Sequence, residues 1–223
     1  MGIEYLSLKE IVKLKPVDVL SLGYPDALID HSGLVDLGVE MEGIPLSPFQ
    51  QEARQRHGFP GQIYDTDAIF KKLGMNVVYV DIVAGRGVEQ IVNLNEDLPL
   101  PLQGQFDLVF DGGTLEHCFN VGQAFKNILL ALKEGGSVVH TNPISCGNHG
   151  FWNMSPTAYN DFYEQNGFKI TLLQAFGGNP LQRVVGDIPR TNRCKFPTEI
   201  WSLVVATQQE KVPARWPTQT KYM

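Results

Sequence analysis

Residues 106–143 read FDLVFDGGTLEHCFNVGQAFKNILLALKEGGSVVHTNP, and this stretch decides the fold. Phe106-Asp107-Leu108-Val109-Phe110 is a short apolar run of the kind that forms a strand covered on both faces. Asp111-Gly112-Gly113-Thr114 breaks it, and two adjacent glycines let the backbone turn tightly or approach a ligand closely. Across 121–133, Val121, Ala124, Phe125, Ile128, Leu129 and Leu132 recur at helical spacing. Glu134-Gly135-Gly136 predicts the end of that helix, and Ser137-Val138-Val139-His140-Thr141 a returning strand. The result is a βαβ unit. It puts Asp111 past the carboxyl end of a strand, where open α/β sheets bind ligands.

Working outward, residues 1–15 predict a helix with Ser7 as N-cap, stopped by Pro16. A first strand over 17–22 leads into the turn Gly23-Tyr24-Pro25-Asp26. Residues 30–61 carry many glycines and prolines and read as irregular, with one short helix near 49–56. So long an irregular insertion suits a lid or binding loop. Asp65-Thr66-Asp67 opens a helix ending at Leu73-Gly74, and strands follow over 76–82 and 88–93. Downstream come a helix from Ser155-Pro156 to Asn166-Gly167, a strand over 168–175, a second irregular segment over 177–197 and a strand over 200–206. This alternation predicts one α/β domain over 1–223, with a Rossmann-like, doubly wound, mostly parallel seven-stranded sheet. The last two strands have no helix between them, so the final one is expected to run antiparallel.

Among 223 residues, 18 Lys and Arg against 24 Asp and Glu leave a net charge of −6. That argues against a general nucleic-acid binder, which needs a basic footprint. Cys118, Cys146 and Cys194 are odd in number and lack paired spacing, which favours reduced thiols and a cytoplasmic protein. No apolar run approaches membrane-spanning length, so no membrane partner is expected. Spacing offers no metal site: there is no HxxxH, no CxxC and no calcium-type acid loop. A homo-oligomer is left open.

The chain resembles a class I S-adenosylmethionine-dependent methyltransferase. The likeness rests on the strand Phe106-Asp107-Leu108-Val109, on Leu115-Glu116-His117, on Leu132-Lys133-Glu134-Gly135-Gly136 closing the helix, and on Pro143. Downstream, His149, Ser155-Pro156 and Asn166-Gly167-Phe168 fit the same pattern. The resemblance implies S-adenosylmethionine as cofactor and a methyltransferase acting on a small-molecule acceptor. One departure stands out: the first turn has Gly23 alone where the family commonly has three glycines. Gly23 can still open the turn, and Asp26 could pair with the cofactor's amino group. Asp81, at the end of its strand, is expected to grip the ribose hydroxyls, with Ile82 beside it. Asn93 and Leu94 are expected at the adenine, and Asn93 is equally a turn-former. Asp111 and Gly113 are expected next to the sulfonium. Glu116 reads as a first-turn acid that complements the helix dipole.

Methyl transfer needs in-line positioning, and a base if the acceptor is a hydroxyl. His149, in the loop past the strand ending near Asn142, is the first candidate and His117 the second. His140, inside a strand, reads as a packed, hydrogen-bonded residue. Residues 177–197 hold Arg183, Arg190, Arg193 and Lys195, of which Arg190 and Arg193 are the expected contacts to an acidic acceptor. Trp152, beside His149, could stack on a ring or sugar face. The leading expectation is O-methylation of a sugar or polyol-type acceptor. The alternative is a degenerate, non-catalytic interaction or regulatory module.

Overall fold

The structure is a computed structural model that describes residues 2–190 and 192–223. Met1, in the predicted first helical segment, and Thr191, in the 177–197 segment, lie outside the described residues.

The apolar runs become the middle of an eight-stranded sheet. In chain order its strands are β2 (Asp18–Leu22), β4 (Asn76–Asp81), β5 (Gln90–Ile91), β6 (Phe106–Asp111), β7 (Leu132–Pro143), β8 (Phe168–Asn179), β9 (Gln182–Asp187) and β10 (Trp201–Gln208). Their spatial order is β5-β4-β2-β6-β7-β10-β8-β9. The pairs among β5, β4, β2, β6 and β7 are all parallel. β10 inserts antiparallel between β7 and β8, so the expected reversal of the last strand is borne out. A separate two-stranded sheet pairs β1 (Gly2–Glu4) in parallel with β3 (Asp26–Leu28).

Both faces of the central strands are covered. Leu20, Val109 and Val138 pack into one hydrophobic cluster, while their neighbours Val19, Leu108 and Val139 pack into a second on the other side. Alternate side chains point to opposite faces, so a strand buried on both reads as an unbroken apolar run. Helices α5 (Val121–Ala131) and α6 (Pro156–Gln165) cover the first face, through Phe125, Ile128 and Phe162. Helices α1 (Tyr5–Leu14) and α4 (Thr66–Lys72) cover the second, through Leu8, Ile11, Ile69 and Phe70. Each fully buried Leu, Ile or Phe contributes about 2–3 kcal/mol of transfer free energy. Among the described residues no helix is long and apolar enough to cross a membrane.

Several expectations need correction. The sheet has eight strands rather than seven, because part of the 177–197 segment extends β8 and returns as β9. The strand expected over 88–93 shrinks to Gln90-Ile91. Helix α1 begins at Tyr5, and Ser7 lies inside its first turn. Glu4 is the cap, because β1 pairing with β3 holds Glu4 extended, and Glu4 and Ser7 exchange capping-box bonds. Helix α5 ends at Ala131, before its glycines, because Leu132 turns extended to pair with Phe106. The 30–61 insertion is also more ordered than its composition implies. It holds α2 (His31–Asp36), capped by Asp30, and α3 (Gln50–His57), ended by Gly58 at φ 59°. Ala53, Phe59 and Ile63 pack with Leu28 in a small core of their own.

Candidate active site

Two cavities open side by side near the carboxyl ends of β4 and β6. The first, of about 310 Å³, is floored by Val80, Val92 and Leu94 and edged by Asp81, Ile82 and Asn93. Asp81 ends β4 with its side chain half-buried, and Oδ1 accepts from the Ile82 amide at 2.7 Å. Asn93 uses its side chain to close its own turn. Its Oδ1 accepts from the Asn95 amide at 3.1 Å and its Nδ2 donates to Glu96 at 2.9 Å. The turn-forming role is therefore present, and Asn93 still lines the cavity.

The second cavity, of about 300 Å³, is lined by Gly112, Thr141, His149, Trp201 and Phe176 on the sheet side. Glu4, Arg183, Arg56 and His57 line it on the outer side. The two cavities meet. Gly113 and His117 line both. Gly113 sits at φ 99°, a conformation that glycine adopts at no steric cost, and a Cβ there would lie 3.1 Å from Glu116 Oε1.

Below the junction lies a buried polar network. Asp111 is wholly buried and accepts four bonds: the Thr114 amide at 2.8 Å, the Leu115 amide at 3.3 Å, His140 Nδ1 at 2.7 Å and Asn142 Nδ2 at 2.8 Å. His140 donates from Nδ1 to that carboxylate, so its Nε2 accepts from the Tyr163 hydroxyl at 2.6 Å. The expectation that His140 is packed and hydrogen-bonded is met. Tyr159 donates to Asn142 Oδ1 at 2.5 Å. Burial, and then the Asp111 charge, push both tyrosines well above the ordinary phenol range, so they stay hydroxyl donors.

Glu116 sits at the top of this network, on the short 3₁₀ turn Leu115–His117, and is fully buried. Its Oε2 accepts from Asn142 Nδ2 at 2.9 Å. Its Oε1 has no hydrogen-bond partner among the described residues. Leaving such an acceptor unsatisfied costs about 1–3 kcal/mol, so the atom needs an explanation. His149 Nε2 stands 3.4 Å from it and His117 Nε2 stands 3.9 Å away. The loop carrying His149 docks on Glu116, whose carbonyl accepts from the Phe151 amide at 2.8 Å. The His149 ring is set edge-on to Trp201, with centroids 4.8 Å apart. Sequence reasoning assigned Glu116 only to the helix dipole. Its real partners come from β7 and the following loop, which no local pattern links to it.

Other expected residues lie elsewhere. Gly23 is buried at φ 90°, and its amide donates to Val80 O at 2.6 Å, so it faces β4 instead of a ligand. Asp26 is 2% exposed and held by Arg86 at 2.5 Å and His57 at 3.0 Å. Neither residue lines the two cavities, and both are engaged with neighbouring parts of the chain. Asp111, expected beside the sulfonium, is buried below the junction with its four donors. Trp152 donates from Nε1 to Cys118 O at 3.0 Å and packs on Phe119, outside both cavities. Arg190 pairs with Glu164 at 2.8 Å, and Arg193 is exposed away from the cavities. Of the four cations in that segment, Arg183 is the one that lines the second cavity. It grips Glu4 with two nitrogens, Nε at 2.7 Å.

Residues 60–140 match the family described as "Methyltransferase domain". Comparison with curated protein sequences gives no match. Among solved structures the chain is similar to the 1,6-didemethyltoxoflavin-N1-methyltransferase of Burkholderia thailandensis, determined with 1,6-didemethyltoxoflavin and S-adenosylhomocysteine bound. The identity is 15%, with a TM-score of 0.50 over 92% of this chain and 77% of that one. It is also similar to the N-methyltransferase NodS of Bradyrhizobium japonicum, at 11% identity and a TM-score of 0.48 over 92% and 96% of the two chains. At 15% identity it is the fold that is shared with the first of these.

Proposed function

We propose that this chain, a class I S-adenosylmethionine-dependent methyltransferase by its domain match and fold, methylates a small-molecule acceptor held in the Glu116–His149 cavity. The observation that carries this reading is the junction. Two cavities of near-equal size share Gly113 and His117, so a cofactor whose nucleoside fills one could present its sulfonium methyl to an acceptor in the other.

The residues fit the nucleoside half of the cofactor. Asp81 has Oδ1 on the Ile82 amide and Oδ2 would be the acceptor for the ribose hydroxyls, while Val80, Val92 and Leu94 would give the base an apolar bed. They do not supply the usual grip on the amino-acid half, because Gly23 and Asp26 are occupied elsewhere. Arg56, Glu4 and Arg183, with His57 beside them, line that end of the second cavity. S-adenosylmethionine supplies an electrophilic methyl carbon on a sulfonium. The chain's share is to hold the acceptor in line and take its proton. His149 is the proposed proton acceptor, with Nε2 3.4 Å from Glu116 Oε1, and His117 lies at the crossing point. A base placed there favours a hydroxyl acceptor, of sugar or polyol type, over an amine.

Supplying S-adenosylmethionine with panels of hydroxyl and amine acceptors, and measuring S-adenosylhomocysteine release, tests this reading. His149→Ala is expected to slow the reaction about 100-fold or more, with cofactor affinity kept. A full-rate His149→Ala enzyme removes His149 as the base. The alternative of a non-catalytic module has one observation in its favour, the closed Gly23 turn. Scanning fluorimetry separates the two readings. A ligand that binds only the native state raises the melting midpoint, so S-adenosylhomocysteine without effect supports the module.

A further inference from the structure

We infer that Glu116, His117 and His149 form a divalent-cation site at the mouth of the acceptor cavity. The class of metal is one that imidazole and carboxylate suit together, zinc above all. The inference rests on the acceptor reading of that cavity, and it changes only how the acceptor hydroxyl is activated.

Three observations meet here. The first is the donor set: one carboxylate oxygen and two imidazole nitrogens, all within 4.8 Å of one another. Ligands at about 2.0–2.1 Å from a tetrahedral zinc lie about 3.3 Å apart. The separation of 3.4 Å between Glu116 Oε1 and His149 Nε2 already meets that spacing. The separation of 3.9 Å to His117 Nε2 needs a closure of well under 1 Å. The two histidine side chains are 49% and 37% exposed, so both are free to swing, while the buried carboxylate is fixed.

The second observation is the unpartnered oxygen. Glu116 is 0% exposed, and its Oε2 is tied to Asn142, yet Oε1 is buried with no hydrogen-bond partner among the described residues and points at the histidines. A metal ligand is a role that accounts for a buried carboxylate oxygen with no hydrogen bond and two imidazole nitrogens beside it. The Asn142 bond is then an outer support that fixes the orientation of a ligating carboxylate.

The third is position. Both histidines line the second cavity, and His117 also lines the first, so the open coordination positions face the acceptor space. Three protein ligands with an open position are the pattern of a catalytic zinc rather than a structural one. An acceptor hydroxyl bound to the cation loses its proton to bulk water, because the metal lowers its pKa. The resulting oxyanion attacks the methyl carbon. The C–O bond forms as the C–S bond breaks, and the C–S electron pair stays on sulfur. His149 is then a ligand, and the proton it would have taken goes to solvent.

The test uses the full-length, tag-free chain, stripped with a chelator and then titrated with Zn²⁺ and, as a spectroscopic probe, Co²⁺. One cation per chain is expected, with Co²⁺ giving the visible absorption of a low-coordinate site. His149→Ala and Glu116→Gln are each expected to weaken binding about 100-fold or more. His149→Ala changes a half-exposed side chain, so it keeps the test valid if Glu116→Gln folds poorly. S-adenosylhomocysteine affinity is measured on the same samples. If it binds while no cation does, or if the cation binds equally to both variants, the metal site is overturned and the methyltransferase reading stands. If neither ligand binds, both fall.

Discussion

Asn142 donates from Nδ2 to Glu116 Oε2 at 2.9 Å, and so decides which oxygen of the buried carboxylate faces the acceptor cavity. The same amide group donates to Asp111, and Asn142 Oδ1 accepts from Tyr159, so one side chain joins three buried polar groups. Asn142→Ala is expected to cost about 3 kcal/mol, because two carboxylates and a phenol lose a partner together. Urea unfolding gives the number, and a loss under about 1 kcal/mol shows that the network does not depend on Asn142.

Gly113 and Gly104 both have positive φ, at 99° and 66°, but only Gly113 sits at the cavity junction. Alanine at either position costs about 1–2 kcal/mol of backbone strain. At Gly113 the new Cβ also presses on Glu116 Oε1, while at Gly104 it meets nothing within 4 Å. Stability is therefore expected to fall in both variants, more in Gly113→Ala, and methyl transfer to fall about tenfold or more only in Gly113→Ala. Equal activities for the two variants argue against the junction as the transfer point.

Cys118 is 6% exposed, and burial, reinforced by the charges of Asp111 and Glu116, pushes its thiol up to about 12. At pH 8 only about one chain in ten thousand carries that thiolate. Cys194 is exposed, and Cys146 is raised by partial burial. Iodoacetamide is expected to modify Cys194 first and Cys118 only on unfolding, as read by peptide mass spectrometry. Early labelling of Cys118 contradicts its burial.

Asp107 ties the start of β2 to β7. It accepts from the amides of Asp18 at 2.8 Å and Val17 at 3.1 Å and pairs with Lys133 at 2.9 Å. Burial alone raises its pKa, but the two amides and the ammonium outweigh it, and the net shift is downward. A depressed folded value means that the stabilisation is present above the unfolded pKa of about 3.9 and is lost as pH falls through the folded one. Asp107→Asn is thus expected to lower stability at pH 7, by at most about 1 kcal/mol since the site is open to solvent. The two proteins are expected to converge near pH 2. A gap that persists in acid shows that charge is not the cause.

The sheet was legible because its central strands are buried on both faces, and Val19-Leu20 or Leu108-Val109 cannot be read otherwise. The place of Asp81 at the end of β4 was legible for a related reason: it ends a β-branched run, and a strand end is a local feature. The acids at 26 and 111 also end or follow strands, yet neither is free. Arg86 and His57 close on one, and His140 and Asn142 close on the other, all from distant parts of the chain. Glu116 fails in the opposite direction. It reads as a first-turn acid and is instead fully buried, because the loop bearing His149 folds back onto its carbonyl. The pairing of β9 with β8 was hidden in glycine-rich sequence, and with it the choice of Arg183 over Arg190 and Arg193 as the cation at the cavity.

The central claim is that the cavity edged by Asp81 holds the nucleoside of S-adenosylmethionine. Calorimetric titration of S-adenosylhomocysteine into the wild-type chain and into Asp81→Ala tests it most directly. The account predicts one site per chain, and an affinity about 30-fold weaker in the variant, the loss of about 2 kcal/mol expected when hydrogen bonds to a charged group are removed. No binding to the wild type, or equal binding to both proteins, contradicts it.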